Sequence, residues 1–253
     1  MLRDGRSRPG ATQPGPVDRA QTPAPGTCHA GRMTSGLLAV VYLAVLGTGV
    51  ASARPLLPAR ATPAPARATV AALALVAVPS LLQLTVAPAL LDRLGRDADA
   101  IGDGQVWRLV TALVVQDGGW VGTVANLTLL LAVGLVAERV WGARRWTLVA
   151  LVSGVGAELW GLIVQPVGAG NSVVVFGLAA SLAGAALATG TAAPRGARVL
   201  AGMSLALAAA LLVAGDLHGG AAALGALCGA GLAVRARRAP TVPRPPGPNA
   251  ATA

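Results

Sequence analysis

Apolar residues in this chain come in long blocks, not in alternation. Six stretches, residues 68–91, 119–137, 146–165, 173–191, 199–214 and 217–234, carry almost no charge, and short arginine-bearing segments separate them. A helix that crosses a bilayer needs about 20 mainly apolar residues, so the pattern predicts six membrane helices with soft boundaries. A seventh block, 36–53, is shorter and ends in Ala51-Ser52-Ala53. Two readings of it stay open: an added membrane helix, or a signal-like segment cleaved after Ala53. Residues 1–33 are rich in Pro, Gly and Arg without periodicity and read as a disordered tail. Residues 54–67 read as a linker and 236–253 as a second disordered tail, so that 1–67 precedes a membrane domain of 68–235.

Composition supports lipid as the solvent. Of 253 residues 54% are hydrophobic and 12% charged, against about 25% charged in soluble domains. All the basic residues are arginine, which together with abundant Ala, Gly and Val fits a GC-rich bacterial genome. The net charge of +10 invites a nucleic-acid reading, but the arginines sit at the edges of apolar blocks. That placement suits anionic headgroups and topology signals, and no nucleic-acid partner is expected. Cys28 and Cys228 lie in the tail and in an apolar block, a pattern with neither a disulfide framework nor metal-ligand spacing. No metal or cofactor is expected.

Arginine count sets an orientation. Arg54, Arg60 and Arg67, then Arg139, Arg144 and Arg145, then Arg195 and Arg198, then Arg235, Arg237 and Arg238 alternate with a polar loop, 92–108. That loop holds only Arg93, Arg96 and Arg108, offset by Asp92, Asp97, Asp99 and Asp103. The positive-inside rule puts both ends of the six-helix core in the cytoplasm. The tail arginines break that pattern if 36–53 spans. The four aspartates read as a solvated surface. Trp107 and Trp120 near one boundary, and Trp141 and Trp146 near the other, read as interfacial anchors.

Polar groups inside lipid are costly and therefore informative. Those that stand out are Asn126, Glu158, Ser172, Asp216 and His218. Ser172 opens the fourth helix and His218 the sixth, both at the outer side. A serine becomes a nucleophile when a base takes its proton, and neutral imidazole is the usual base. His29 lies in the tail, which leaves His218 as the one membrane histidine. The His218 face continues through Ala222, Gly225 and Gly229, small residues that permit close helix approach, although ordinary packing in an Ala/Gly-rich protein explains the glycines equally. Asn126 serves either chemistry or interhelical bonding. Glu158 reads as structurally bonded, with Gln165 on a similar face, or as part of a substrate gate. Asp216 lies two residues before His218, and such neighbours do not face each other on a helix, so it is not expected to be a third catalytic member.

These residues resemble the rhomboid family of intramembrane serine proteases. Gly170-Asn171-Ser172 is similar to the family's Gly-x-Ser at the start of the fourth core helix, with Phe176 where an aromatic packs on the histidine. His218 with Gly225 seven residues on matches the family's base and glycine. Val106-Trp107-Arg108, Asn126, and Glu138-Arg139-Val140-Trp141-Gly142 match three further places in order. The resemblance implies an all-α, six-helix membrane bundle and a Ser172–His218 dyad. It also implies an oxyanion site made by the Asn126 amide and the Ser172 backbone N–H, with Gly170, Phe176 and Gly225 in support. The substrate would be a transmembrane-helix protein, and the location a bacterial inner membrane in multi-pass form. Val173 departs from the glycine that usually follows the nucleophile, and Gly122 from a histidine four residues before the asparagine. An inactive rhomboid-like binder of transmembrane helices is the alternative these departures suggest, with a small transporter behind it.

Overall fold

The computed structural model describes residues 27–57 and 66–238; of the expected tails, 1–33 and 236–253, residues 1–26 and 239–253 lie outside them, as do linker residues 58–65, whereas 27–33 and 236–238 are helical and not disordered. Residues Met1–Ala39 form one unit and Val40–Ala253 another. The first contributes the opening turns of helix α1, Thr27–Ala51, and all that follows concerns the second.

Helix α2, Arg67–Thr85, stops short of the expected residue 91. Pro88 lacks an amide hydrogen and disfavours helix at the residue before it, so the chain turns and restarts as α3, Leu90–Leu94. The expected polar loop is a folded cap. It contains α4, Ala98–Gly102, and α5, Arg108–Thr111. Strand β1, Arg96–Asp97, pairs antiparallel with β2, Val167–Gly168, in the register Arg96 to Gly168. Arg108 is buried and donates through Nη1 to the carbonyls of Asp92 and Gly95, both at 2.8 Å, which ties the two ends of the cap together. Asp92, Asp99 and Asp103 are exposed as expected, but Asp97 is not simply solvated: its Oδ1 accepts the Asp99 and Ala100 N–H groups and caps α4.

Helix α6 runs Gly119–Val164 in two limbs that meet at Gly142, whose φ of 69° and ψ of 164° break the helix. That break produces the two separate helices the apolar pattern predicts. Just before it, Glu138 accepts the N–H groups of Ala68 and Thr69 and the Thr69 hydroxyl, so one carboxylate caps α2 and locks it to α6. Trp141 and Trp146, expected as interfacial anchors, are buried. Their indoles donate to Ser181 Oγ and the Gly134 carbonyl, because the turn at Gly142 folds the two limbs over both rings. Trp107 and Trp120 are exposed.

Helix α7, Ser172–Ala188, is the buried centre. Its 17 residues span about 26 Å at 1.5 Å per residue, less than the roughly 30 Å of bilayer hydrocarbon. Helices α8, Arg195–Val213, and α9, Leu217–Arg238, complete the bundle. The crossing of α7 on α9 is tight. A Cβ at Gly225 would overlap the Gly177 carbonyl, and one at Gly229 the Ser181 carbonyl. Among the described residues, five helices are long and apolar enough to cross a membrane: α1 from Gly36, α2, α6 with its two limbs, α8 and α9. The fold is an all-α membrane bundle. From Val40 on, α1 belongs to it: Val45 and Leu46 are buried, and Ser204 Oγ on α8 donates to the Val45 carbonyl at 2.8 Å.

Candidate active site

Ser172 is the first residue of α7, at the end that meets the start of α9. Ser172 Oγ lies there, 2.9 Å from His218 Nε2. The approach depends on the α7–α9 glycines, which let the two backbones come close enough for side chains 46 positions apart to bond. Phe176, one turn below Ser172, packs on the imidazole with ring centroids 4.6 Å apart. Tyr42 from α1 packs on it too, at 4.5 Å, and meets Phe176 edge-on at 5.1 Å. The chain has one Phe and one Tyr, and both contact His218.

The expectation that Asp216 does not face His218 is corrected. Its Oδ1 lies 2.9 Å from His218 Nδ1 and also accepts the His218 backbone N–H at 2.8 Å. The helix-spacing argument fails because Asp216 precedes α9 and caps it, as an N-cap carboxylate bonds the second helical residue. The turn is set by Gly215, whose φ is 73°, a conformation that favours glycine. The N–H groups of Gly215 and Asp216 bond back to the carbonyls of Leu212 and Leu211, a Schellman closure of α8 that delivers Asp216 directly to the start of α9. The other carboxylate oxygen accepts from the Tyr42 hydroxyl at 2.6 Å. Burial alone would raise the Asp216 carboxyl, but the bonds from His218 and Tyr42 outweigh it and hold the group below its ordinary value. An ionised carboxylate only accepts, so Nδ1 carries the proton. In the neutral ring Nε2 is then the acceptor for the Ser172 hydroxyl.

On the other side of Ser172 is an amide network. Asn126 Nδ2 donates to Gln116 Oε1 at 2.7 Å, and Gln116 Nε2 donates to Asn171 Oδ1 at 2.9 Å. Gln116 is held through its backbone by Gln83 on α2: its N–H donates to Gln83 Oε1 at 2.9 Å and its carbonyl accepts Gln83 Nε2 at 2.6 Å. A Cβ built on Gly170 would lie 3.4 Å from Gln116 Oε1, 3.5 Å from Asn126 Nδ2 and 3.8 Å from Ser172 Oγ. These groups therefore surround one point, and the Gly170 φ of 145° keeps that point clear. The first N–H groups of a helix lack intrahelical partners, so the Ser172 N–H is available beside it. A cavity of about 160 Å³ opens here, lined by Ser172, His218, Asn126, Phe176, Leu129 and Val175 with Tyr42, Leu43 and Leu46 of α1. A larger cleft of about 290 Å³ lies between α2 and α6, but its lining is mainly apolar, with Thr147 and Asn171 its polar side chains, and holds no acid or base.

The Rhomboid domain model matches residues 103–238, more than half of the chain. This chain belongs to the rhomboid family. No curated protein matches it. The match begins after α2, so Tyr42 lies outside the matched region.

The two departures of this rhomboid have distinct structural answers. The Val173 side chain is fully buried in the core and does not line the cavity. At Gly122 a Cβ would meet nothing within 4 Å, so the position is open space. Glu158 bonds Arg96 at 2.5 Å, both side chains 1% exposed, and Arg96 Nε donates to the Gln165 carbonyl at 3.0 Å. Its partner is thus the cap arginine, not the Gln165 side chain, because β1 brings Arg96 down onto the end of α6.

Gln83, Gln116, Asn171 and Tyr42 were not among the residues singled out from the sequence. Gln83 and Tyr42 carried a usable signal, being polar groups within apolar blocks. Gln116 lies between blocks, where a polar residue is ordinary.

Proposed function

We propose that this rhomboid is an intramembrane serine endopeptidase, with Ser172 as nucleophile and His218 as its base. The observation that carries the reading is the 2.9 Å approach of His218 Nε2 to Ser172 Oγ, with Nδ1 engaged by Asp216. The six-helix domain of residues 68–235 holds every group the chemistry uses. A substrate helix unwinds at the cavity and presents a carbonyl carbon to Oγ. His218 Nε2 takes the serine proton as the C–O bond forms, and the carbonyl electron pair moves to oxygen. The second N–H of the Asn126 amide and the Ser172 backbone N–H hold that oxyanion. Collapse returns the pair, breaks the C–N bond, and passes the Nε2 proton to the leaving amine. Water, deprotonated by His218, then attacks the acyl-serine and releases the acid.

The arginine distribution supports an outer-side site in a bacterial inner membrane, and the substrates are transmembrane proteins. A fluorophosphonate probe on the purified protein, beside a transmembrane model substrate, tests the reading. Wild type labels and cuts, and Ser172→Ala and His218→Ala do neither. A folded wild type that neither labels nor cuts rejects the protease and leaves a binder of transmembrane helices.

A further inference from the structure

The site just described is not closed by the six helices alone. One wall of its cavity is α1, a helix ahead of the six and outside the matched domain. The contact is polar as well as apolar. Tyr42 of α1 reaches both the imidazole and the Asp216 carboxylate. In sequence the groups run Tyr42, Ser172, Asp216, His218; in space they form one chain of hydrogen bonds, Tyr42 to Asp216 to His218 to Ser172.

We infer that Asp216 and Tyr42 are positioning residues for His218, so that the base works as part of a relay assembled partly from α1. This rests on the protease reading. Asp216 Oδ1 takes the Nδ1 proton in a hydrogen bond and so fixes the tautomer in which Nε2 is free to accept. When Nε2 takes the Ser172 proton, the same carboxylate faces the resulting imidazolium; it stays ionised, and no proton moves to it. The Tyr42 hydroxyl donates to Oδ2 and satisfies the oxygen that His218 leaves free, which holds the carboxylate where Oδ1 meets Nδ1. Its ring packs on the imidazole beside Phe176, which it meets edge-on. Neither Asp216 nor Tyr42 touches the reacting carbonyl. Both act through His218.

The groups facing the imidazole are Asp216, Tyr42, Ser172 and Phe176, and Asp216 is the one charged member. A neutral amide there would accept from a protonated Nδ1 or donate to a bare one, and would no longer select the tautomer.

The chain has two histidines, His29 and His218, which makes a direct test practical. Full-length protein carrying His29→Ala and 15N-labelled histidine gives one imidazole spin system. At neutral pH it should report a protonated Nδ1 and a bare Nε2. In Asp216→Asn that preference should collapse while the melting temperature shows the protein still folded. In the cleavage assay Asp216→Asn should lower kcat by about 100-fold with KM little changed, within the range assigned to general-base catalysis. Tyr42→Phe, which keeps the ring and removes the hydroxyl, should lower kcat by about tenfold, the scale of one charged hydrogen bond.

Wild-type Nε2 protonation overturns the inference whether or not the enzyme is active. So does unchanged kcat in both variants with an active wild type. A higher rate in Tyr42→Phe, or on deletion of residues 1–53, also overturns it and makes α1 a plug in the cavity mouth. Absence of cleavage by folded wild type rejects the protease reading, while the spectrum still decides whether Asp216 sets the tautomer.

Discussion

One carboxylate oxygen of Asp216 receives both the backbone N–H of His218, at 2.8 Å, and its ring Nδ1, at 2.9 Å. The same atom therefore starts helix α9 and sets the direction of the imidazole. Folding energy and site geometry share a single contact, so any change at Asp216 acts on both.

That coupling has a pH signature. The Asp216 carboxyl is held below its ordinary value by His218 and Tyr42, against the opposing push of burial. A carboxyl lowered on folding stabilises the protein above its unfolded pKa, about 3.9, and loses that contribution as pH falls through the folded value. The melting temperatures of wild type and Asp216→Asn should differ by a steady amount from about pH 5 to 8 and converge below about pH 4. Calorimetry in detergent measures this, and a gap that persists unchanged in acid would contradict it.

In the proposed mechanism the oxyanion side depends on Gln116. It accepts one Asn126 N–H and is itself anchored by Gln83, which leaves the other Asn126 N–H for the oxyanion. Asn126→Ala should lower kcat by about 10²–10³, the usual cost of one oxyanion donor. Gln116→Leu should lower it less, about tenfold, with KM nearly unchanged. Equal losses in the two variants would show that Gln116 does more than orient Asn126.

The α7–α9 crossing tolerates no side chain at Gly225. Because the obstacle is the Gly177 backbone carbonyl, no rotamer change relieves the overlap. Gly225→Ala should cost about 1–3 kcal/mol, as overpacking commonly does, and should abolish probe labelling by parting Ser172 from His218. Gly231, where a Cβ would meet nothing within 4 Å, is the control on the same helix. Thermal melts and labelling of Gly231→Ala should match wild type.

Arg96 and Glu158 are both buried and bonded to each other. Removing one partner of such a pair leaves an uncompensated charge and costs about 3–5 kcal/mol, whereas apolar replacement of both is close to neutral. Glu158→Ala should therefore melt well below the double variant Arg96→Met, Glu158→Leu. The opposite order would mean that the cap is held mainly by Arg108 and the strand pair.

Much of this protein could be read before any coordinates. Long uncharged blocks must bury their backbone polar groups internally in lipid, and a helix is the local way to do so; six helices and their approximate limits follow. Ser172, His218 and Asn126 were visible for the same reason, as polar groups at a cost in an apolar setting. Tertiary structure alone decided which partners those groups have. The Schellman turn at Gly215 puts Asp216 ahead of its helix, where spacing rules written for helix interiors do not apply. The break at Gly142 buries two tryptophans that looked like anchors. Strand β1 carries Arg96 onto Glu158, and α1 lays Tyr42 against Asp216 across 174 positions of chain. Hydrophobicity is a property of each segment and accumulates locally, so sequence records it. A hydrogen bond between distant segments depends on how backbones pack, and no single segment contains that information.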